Sequence, residues 1–173
     1  MKKNTCITFL SLLFISNVLF SQIKEYKAGQ EFYISLPEYM SKTIGLNNAA
    51  TIQYKSSVKD VYGFVIVDPK EDLKLAELNY SSLKEFYEYF INDFLVEEEK
   101  RTISEPIYKK NGVINFVECD ASYLDKEANL EIYYLVGIVE TKNNFYKVLS
   151  WSSIDNKEKF KEDFRKILYS LRD

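Results

Sequence analysis

Two acidic residues that could act together stand on either side of Cys119 in the stretch VINFVECDASYL. Residues two apart in a strand share a face, so Glu118 and Asp120 are expected to project from the same side of a sheet. Paired carboxylates can transfer protons during hydrolysis, as in glycosidases, or can bind a hard cation. The pair is therefore a candidate site, although a solvated edge of the sheet is the simpler interpretation.

The chain contains no histidine, which restricts the chemistry that these groups could perform. This absence excludes Ser-His-Asp and Cys-His catalysis, together with most zinc and copper sites. Cys119 alternates with Val117 and Ala121, so it is expected to be a buried apolar residue rather than a reactive thiol. The sequence also lacks a phosphate-binding glycine loop and a nucleophile elbow. We therefore expect no catalytic residues, cofactor or metal, and favour a non-enzymatic role.

Two aromatic residues are further candidates for binding. The stretch KEFYEYFINDF (84–94) has five aromatic residues in eleven positions, and at helical periodicity four of them share one face. That face is expected to be core, whereas Tyr89 lies off it. Trp151, the only tryptophan, comes at the end of the last predicted strand and could anchor a partner. The alternative for Trp151 is core packing under the C-terminal helix.

The elements that must position these residues show two periodicities, 2 for strands and 3.6 for helices. Alternation and turn signals predict strands over 30–36, 51–56, 61–68, 103–110, 113–124, 129–142 and 145–153. Asn111-Gly112 is a strong two-residue hairpin turn, and Asn143-Asn144 is a weaker one. Helical periodicity predicts helices over 81–97, with Ser81 or Ser82 as N-cap, and over 155–173, with Asp155 as N-cap. The stretch 97–101 is interpreted as a solvated exit from the first helix.

The strand over 130–139 is apolar on both faces and therefore needs cover on both. Two amphipathic helices far apart in sequence can provide it, one on each face. The predicted fold class is α+β: a central, mostly antiparallel sheet of about six to seven strands with two flanking amphipathic helices, an α/β/α sandwich. If both helices shared a face, a two-layer α+β fold would result.

The N-terminus predicts export. Lys2 and Lys3 precede an apolar run over 6–20 that is shorter than a membrane span, so residues 1–21 are interpreted as a signal peptide and 22–173 as a single globular domain. Cleavage would leave 21 basic residues against 26 acidic ones, changing the net charge from −3 to −5. We therefore expect no nucleic-acid partner and no stable membrane anchor after cleavage. Cys119 would be the only remaining cysteine, which excludes an internal disulfide.

Four stretches together resemble the PsbP-like group: EFYISLP, the pair TIQYKSS and VYGFVIVD, the long pair NLEIYYLVGIVETKNNFYKVLSWSS, and the terminal KEKFKEDFRKILYSL. The resemblance spans residues 25–172. It implies a central antiparallel sheet flanked by helices, with a closing C-terminal helix, and a role in binding rather than catalysis. It carries no catalytic residues onto this chain.

These observations favour an exported, soluble, non-catalytic binding or assembly module of the cell envelope, periplasmic or extracellular, that holds a protein partner or an apolar small ligand. Tyr89, Trp151, Glu118 and Asp120 are its candidate binding residues. The alternatives are a histidine-free hydrolase that relies on carboxylates and a purely structural envelope component. An apolar cavity lined by Tyr and Phe would favour the binding module.

Overall fold

A computed structural model describes residues 23–29 and 31–173 of the chain. The predicted signal peptide, residues 1–21, lies outside the described residues. Among the helices of the described part, none is both long enough and apolar enough to cross a bilayer.

Within this part the chain forms ten strands and three α-helices, in the order β-β-β-β-β-α-α-β-β-β-β-β-α. The strands are β1 (Ile23–Ala28), β2 (Phe32–Pro37), β3 (Ser41–Thr43), β4 (Ile52–Ser56), β5 (Val61–Pro69), β6 (Glu99–Ile103), β7 (Ile107–Asn111), β8 (Ile114–Asp125), β9 (Leu130–Glu140) and β10 (Asn144–Ser153). The helices are α1 (Lys70–Leu75), α2 (Leu83–Asp93) and α3 (Lys157–Tyr169).

The main sheet is antiparallel, with the order β3-β4-β5-β10-β9-β8-β6 and with β7 also paired to β8. Strands β6 and β7 pair with successive parts of the long β8. Strands β1 and β2 form a separate two-stranded hairpin. The predicted fold class is confirmed, and the main sheet has eight strands rather than six or seven.

Each face of the sheet is covered by a different helix, as the pattern of β9 predicts. Leu135 belongs to a core formed with α3 and the β1–β2 hairpin, which includes Phe164. Val136 projects the opposite way into a core formed with α2, which includes Phe86. Because consecutive strand residues point to opposite faces, an apolar run in a central strand serves both cores. The molecule is therefore an α/β/α sandwich.

The turn between β7 and β8 differs by one residue from the prediction. Asn111 is paired with Ile114, so Gly112 and Val113 are the two turn residues. Gly112 has a φ of 58°, in the left-handed region that glycine adopts without a steric penalty. The predicted hairpin is confirmed, while Asn111 is the last residue of the strand rather than the first of the turn.

The two long helices begin differently. Ser82 is the N-cap of α2, and its hydroxyl accepts a hydrogen bond from the Glu85 N–H at 3.3 Å, as predicted. The predicted cap of α3 at Asp155 is wrong, because this residue lies in a 3-10 turn over Ile154–Asn156. The N-cap of α3 is Asn156, which makes no side-chain capping bond.

The segment after α2 is solvated over 97–100, as predicted, but residues 99–103 form strand β6 rather than only an exit from the helix. Arg101 in β6 donates hydrogen bonds to the carbonyl oxygens of Phe94, at 2.8 Å, and Ile91, at 2.6 Å. The carbonyl oxygens at the end of a helix receive no hydrogen bonds from a following helical turn, so they need other donors. Arg101 therefore caps α2 and joins it to the edge of the sheet.

Candidate functional site

The structure distributes the four candidate residues over three places. Glu118 and Asp120 lie together on β8, under α3. Tyr89 is on α2 beside a pocket, on the other side of the sheet. Trp151 is on β10, on the same side as α2 but packed into a separate row of aromatic rings. The four therefore do not form one site.

Glu118 is a buried charge with a full set of partners. It is only 1% exposed. Its Oε1 accepts from Nε of Arg165 at 2.9 Å and lies 2.9 Å from Nη2 of the same side chain. Its Oε2 accepts from the Tyr169 hydroxyl at 2.9 Å. Burial and this bond to Glu118 both raise the pKa of Tyr169, which therefore remains a hydrogen-bond donor.

Asp120 lies two residues further along β8, and both of its carboxylate oxygens also have partners. Its Oδ1 accepts from the Tyr133 hydroxyl at 3.0 Å, and its Oδ2 lies 2.6 Å from Lys161 Nζ and 3.0 Å from Lys157 Nζ. Burial alone would raise the pKa of Asp120, but the hydrogen bonds from Lys161 and Lys157 outweigh it and lower that pKa.

The interpretation of these carboxylates as a solvated sheet edge is wrong. Both lie between the sheet and α3, and both are ion-paired to residues of that helix. Acid–base hydrolysis needs a carboxyl group whose proton can be exchanged with a substrate. The pairing of Glu118 and Asp120 with Arg165, Lys157 and Lys161 instead attaches α3 to β8, and it gives the hydrolase alternative no support.

Trp151 belongs to a row of rings that crosses four neighbouring strands. Its ring stacks on Tyr62, with centroids 5.6 Å apart, and on Tyr134, with centroids 5.4 Å apart. Tyr123 extends the row at 6.3 Å from Tyr134. All four are half-buried, on the face covered by α2. The expectation that Trp151 packs under the C-terminal helix is therefore wrong.

Tyr89 lies off the buried face of α2, as predicted, and is 53% exposed. It borders a partly enclosed pocket of about 220 Å³ between α1, α2 and the sheet, which we call the Tyr80 pocket. The apolar wall consists of Leu73, Leu78, Tyr80, Phe86, Tyr89 and Phe90. A second pocket of about 170 Å³ adjoins it and shares Leu73, Leu78 and Tyr80.

Two strands supply the polar side of the Tyr80 pocket. Asp68 comes from the end of β5 and Lys147 from β10. The Lys147 Nζ forms an ion pair with Asp68, 2.9 Å from its Oδ2. The same ammonium group stands 5.7 Å from the ring centroids of Phe86 and Phe90. The pocket therefore contains a carboxylate and an ammonium group beside aromatic rings.

Two inaccessible oxygens beside this pocket make no hydrogen bond among the described residues: the hydroxyl of Tyr80 and Oδ2 of Asp68. The Asp68 oxygen is nevertheless paired with the ammonium group of Lys147. Burial raises the pKa of Tyr80, and the neighbouring Tyr89 hydroxyl and Asp68 charge raise it further.

The chain between α1 and α2 places Tyr80 over this pocket. Pro69 ends β5, and α1 follows at once. The Leu78 N–H then bonds to the Leu73 carbonyl at 2.8 Å across a turn in which Glu77 has a φ of 62°. The Tyr80 ring packs edge-on against Phe86, with centroids 5.1 Å apart. The short helix and its turn therefore form the outer wall.

Sequence reasoning missed Asp68, Tyr80 and Lys147. One signal was available: Lys147 alternates with Phe145, Leu149 and Trp151, so it is a charged residue on an otherwise apolar strand face. Such a residue needs a partner, and here the partner is Asp68. Tyr80 had no such signal, because it lies in an irregular connection. Within residues 23–29 and 31–173, no three acidic or cysteine side chains are grouped to bind a metal ion.

The chain matches no protein-family model and no curated protein. Its fold, however, resembles the solution structure of cyanobacterial PsbP (CyanoP) from Synechocystis sp. PCC 6803, with a TM-score of 0.61 at 14% identity over 90% of this chain and 95% of that one. It also resembles LpqN, involved in cell envelope biogenesis of Mycobacterium tuberculosis, with a TM-score of 0.58 at 9% identity over 87% and 89% of the two chains.

A third similar structure is PA94 from Pseudomonas aeruginosa, a protein of unknown function and putative regulator, with a TM-score of 0.50 at 6% identity over 83% of this chain and 92% of that one. The chain thus has the PsbP-like fold, which confirms the resemblance found in the sequence. At identities this low the likeness shows the fold alone, because one fold can host unrelated functions.

Proposed function

We propose that this chain is an exported, non-catalytic binding module of the cell envelope, and that its Tyr80 pocket holds the apolar part of a small ligand. The observation that carries the proposal is the pocket itself. It combines a wall of aromatic and leucine side chains with a few converging polar groups, the arrangement typical of small-molecule sites.

The size of the pocket limits what it can hold. At about 220 Å³ it is smaller than most sites for drug-sized ligands, which begin at about 300 Å³. An apolar protein cavity of about 150 Å³ is known to accept benzene. The Tyr80 pocket therefore suits a group of about one ring. The adjoining pocket shares Tyr80 with it and could take a short extension of the same ligand.

Three further observations support the non-catalytic and envelope parts of the proposal. The paired carboxylates, which were the strongest catalytic candidates, are ion-paired with cations of α3. Lys2, Lys3 and the apolar run over 6–20 form the pattern of a secretory signal peptide. LpqN, which shares the fold, is involved in cell envelope biogenesis.

Native mass spectrometry of the protein purified from the envelope fraction tests the binding role. We expect a bound small molecule with the unmodified chain, and its loss in a Leu73→Trp variant, because Leu73 borders both pockets and a larger ring there would fill them. Leu75→Trp is the matched control, since Leu75 is on the same short helix but 80% exposed. Recovery of the unmodified protein without any bound molecule would contradict the proposal, as would capture of a protein partner alone.

The export part has its own test. The intact mass of the envelope protein should correspond to a chain that lacks residues 1–21. If the protein is found only in the cytoplasm with these residues retained, the export prediction is wrong, whatever the pocket binds.

A further inference from the structure

We infer that β7 and the groove beside it bind an extended, acidic segment of a partner protein, which adds to the main sheet as a further strand. This surface is separate from the Tyr80 pocket and goes beyond the proposed function. The observations that carry it are a free sheet edge, an apolar groove beside that edge and an excess of lysine around both.

Strand β7 is an outer strand of the main sheet. It pairs with β8, and among residues 23–29 and 31–173 no other strand borders its outer side. Asn111 and Ile114 close a two-residue turn as a hydrogen-bonded pair, and such pairs alternate along antiparallel strands. The main-chain groups of Tyr108 and Lys110 therefore point away from β8. Every residue of β7 is exposed, so an extended peptide can reach these groups.

A groove of about 390 Å³ lies between β7 and the first turn of α2, and we call it the β7 groove. Its apolar lining comes from Leu83, Tyr108 and Phe116. The Tyr108 ring packs edge-on against Tyr87 of α2, with centroids 6.4 Å apart. Binding sites commonly have volumes of about 300–1,000 Å³, so the groove is large enough for a side chain of a partner. Alternate residues of an added strand share a face and could enter it.

The lining of the β7 groove is basic, although the whole chain has a net charge of −3. Lys84, Lys109 and Lys110 border the groove, and Glu140 is the one acidic residue among its lining residues. The Glu140 carboxylate already accepts a hydrogen bond from Lys70 at 2.8 Å, which neutralises it. The groove therefore attracts a negatively charged segment.

The lysines of the groove have few competing partners. Lys84 lies 3.7 Å from Glu88, and because both side chains are exposed this pair is weak. Lys109 stands 4.4 Å from the ring centroid of Tyr169, on the α3 face. Lys110 forms no ion pair within the part of the chain that the structure describes. Since neighbouring strand residues point to opposite faces, an added strand would meet a lysine on either face.

The same charges disfavour a second copy of β7 as the added strand. Two antiparallel copies would bring Lys109 and Lys110 close to the same residues of the partner, and like charges opposite each other across strands are destabilising. Lysines on an edge strand commonly prevent such self-association. The edge is thus protected against another β7 but remains open to an acidic strand.

NMR titration of the isotope-labelled full chain at pH 7 tests the inference with peptides of five residues, the length of β7. One peptide alternates glutamate and valine, a second has lysine in place of glutamate, and a third is the acidic peptide with methylated main-chain nitrogens. The acidic peptide should shift the amide signals of β7 and of the first turn of α2. It should bind at least about tenfold more tightly than the basic peptide, because its charge complements the groove. It should exceed the methylated peptide by about the same factor, because methylation removes the main-chain donors.

Each other result overturns the inference. If millimolar acidic peptide causes no shift at β7, or shifts only another edge such as β1 or β3, this edge is not the site. Equal binding of the acidic and basic peptides would contradict the charge argument, and equal binding of the methylated peptide would contradict strand addition. None of these results bears on the Tyr80 pocket, whose ligand is tested by mass spectrometry.

Two matched variants test the contribution of the lysines. Lys110→Glu reverses an exposed charge at the edge, so it should weaken binding of the acidic peptide by about tenfold and strengthen binding of the basic one. Lys24→Glu is the control, since Lys24 is an exposed lysine on β1 and its replacement changes the net charge equally. It should bind both peptides as the unmodified chain does. If the two variants bind the acidic peptide equally well, Lys110 does not contact the added strand and the inference fails.

Discussion

The two faces of the main sheet differ in how completely they are closed. On the α3 face, the 13-residue helix and the β1–β2 hairpin cover the strands, and charged side chains tie the helix to β8. On the α2 face, an 11-residue helix leaves the row containing Trp151 half-buried and leaves a pocket beside Tyr89. One face is thus built mainly for stability, while the other retains accessible aromatic surface.

The chain segments that adjoin the two covering helices show the same contrast. The last residue, Asp173, accepts hydrogen bonds from Thr141 at 2.6 Å and from Tyr146 at 3.0 Å, which fixes the chain beyond α3 to the sheet. The chain before α2 is instead an irregular connection over 76–82 that forms a wall of the pocket. Binding sites are commonly found in such connections, held in place by a rigid scaffold. The comparison predicts that substitutions on the α3 face affect stability most.

The largest effect should come from removing the cation that neutralises Glu118. Arg165→Ala would leave a buried carboxylate without its counter-charge, and we expect the free energy of unfolding to fall by about 3–5 kcal/mol, measured by urea denaturation. Glu162→Ala is the control: it removes the other partner of Arg165, whose side chain is 70% exposed, and should change stability by less than about 0.5 kcal/mol. Similar losses in the two variants would contradict the distinction between buried and exposed pairs.

A smaller loss is expected where α3 approaches the sheet most closely. A Cβ atom at Gly137 would lie 2.3 Å from a methyl carbon of Leu168, so Gly137→Ala must displace that side chain. We expect a loss of about 1–3 kcal/mol in the same assay. In a Leu168→Ala background the extra methyl group has room, and the loss due to Gly137→Ala should largely disappear. An unchanged loss there would show that the contact with Leu168 is not its cause.

The ion pairs on this face should also make stability depend on pH. The pKa of Asp120 is lowered in the folded chain, so its contribution is present above the unfolded value of about 3.9 and is lost as the pH falls through the folded pKa. Asp120→Asn should therefore reduce stability at pH 7 by about 1 kcal/mol and flatten the decline below about pH 4. Unfolding curves at pH 7 and pH 3 measure both effects. An equally steep decline in the variant would contradict this assignment.

The smallest effect on stability should occur at Tyr89, on the more open face. Because this side chain is 53% exposed, Tyr89→Ala should change the free energy of unfolding by less than about 0.5 kcal/mol. The same variant should weaken binding of the small ligand, measured by native mass spectrometry, since it removes one wall of the Tyr80 pocket. A large loss of stability would show that the α2 face is as tightly built as the α3 face.

Much of the fold could be predicted from short-range patterns. The stripe of α2 placed Tyr89 off the buried face, and the doubly apolar strand β9 required a helix on each side of the sheet. The hairpin at Gly112 was evident from its turn residues, although the turn itself is shifted by one position. Strand β6 was missed, because its residues, EKRTI, have few of the apolar positions that indicate a strand.

The pocket could not be predicted in this way. Asp68, Tyr80 and Lys147 come from the end of one strand, an irregular connection and the middle of another strand, and no periodic pattern links them. The pairing of Glu118 with Arg165 could not be predicted either. Alternation along the strand indicated which face Glu118 occupies, but not that Arg165 of α3 lies above it. In both places the decisive contacts join parts of the chain that are distant in sequence.

By itself, the sequence determined which residues form strands and helices and which side of each element is apolar, because these properties depend on the spacing of neighbouring residues. Only the tertiary structure decided that β10 lies between β5 and β9, which brings Lys147 to Asp68, and that α1 and its turn fold back to place Tyr80 over them. Strand order and packing depend on long-range contacts, and these determine where buried polar groups meet and where a pocket remains.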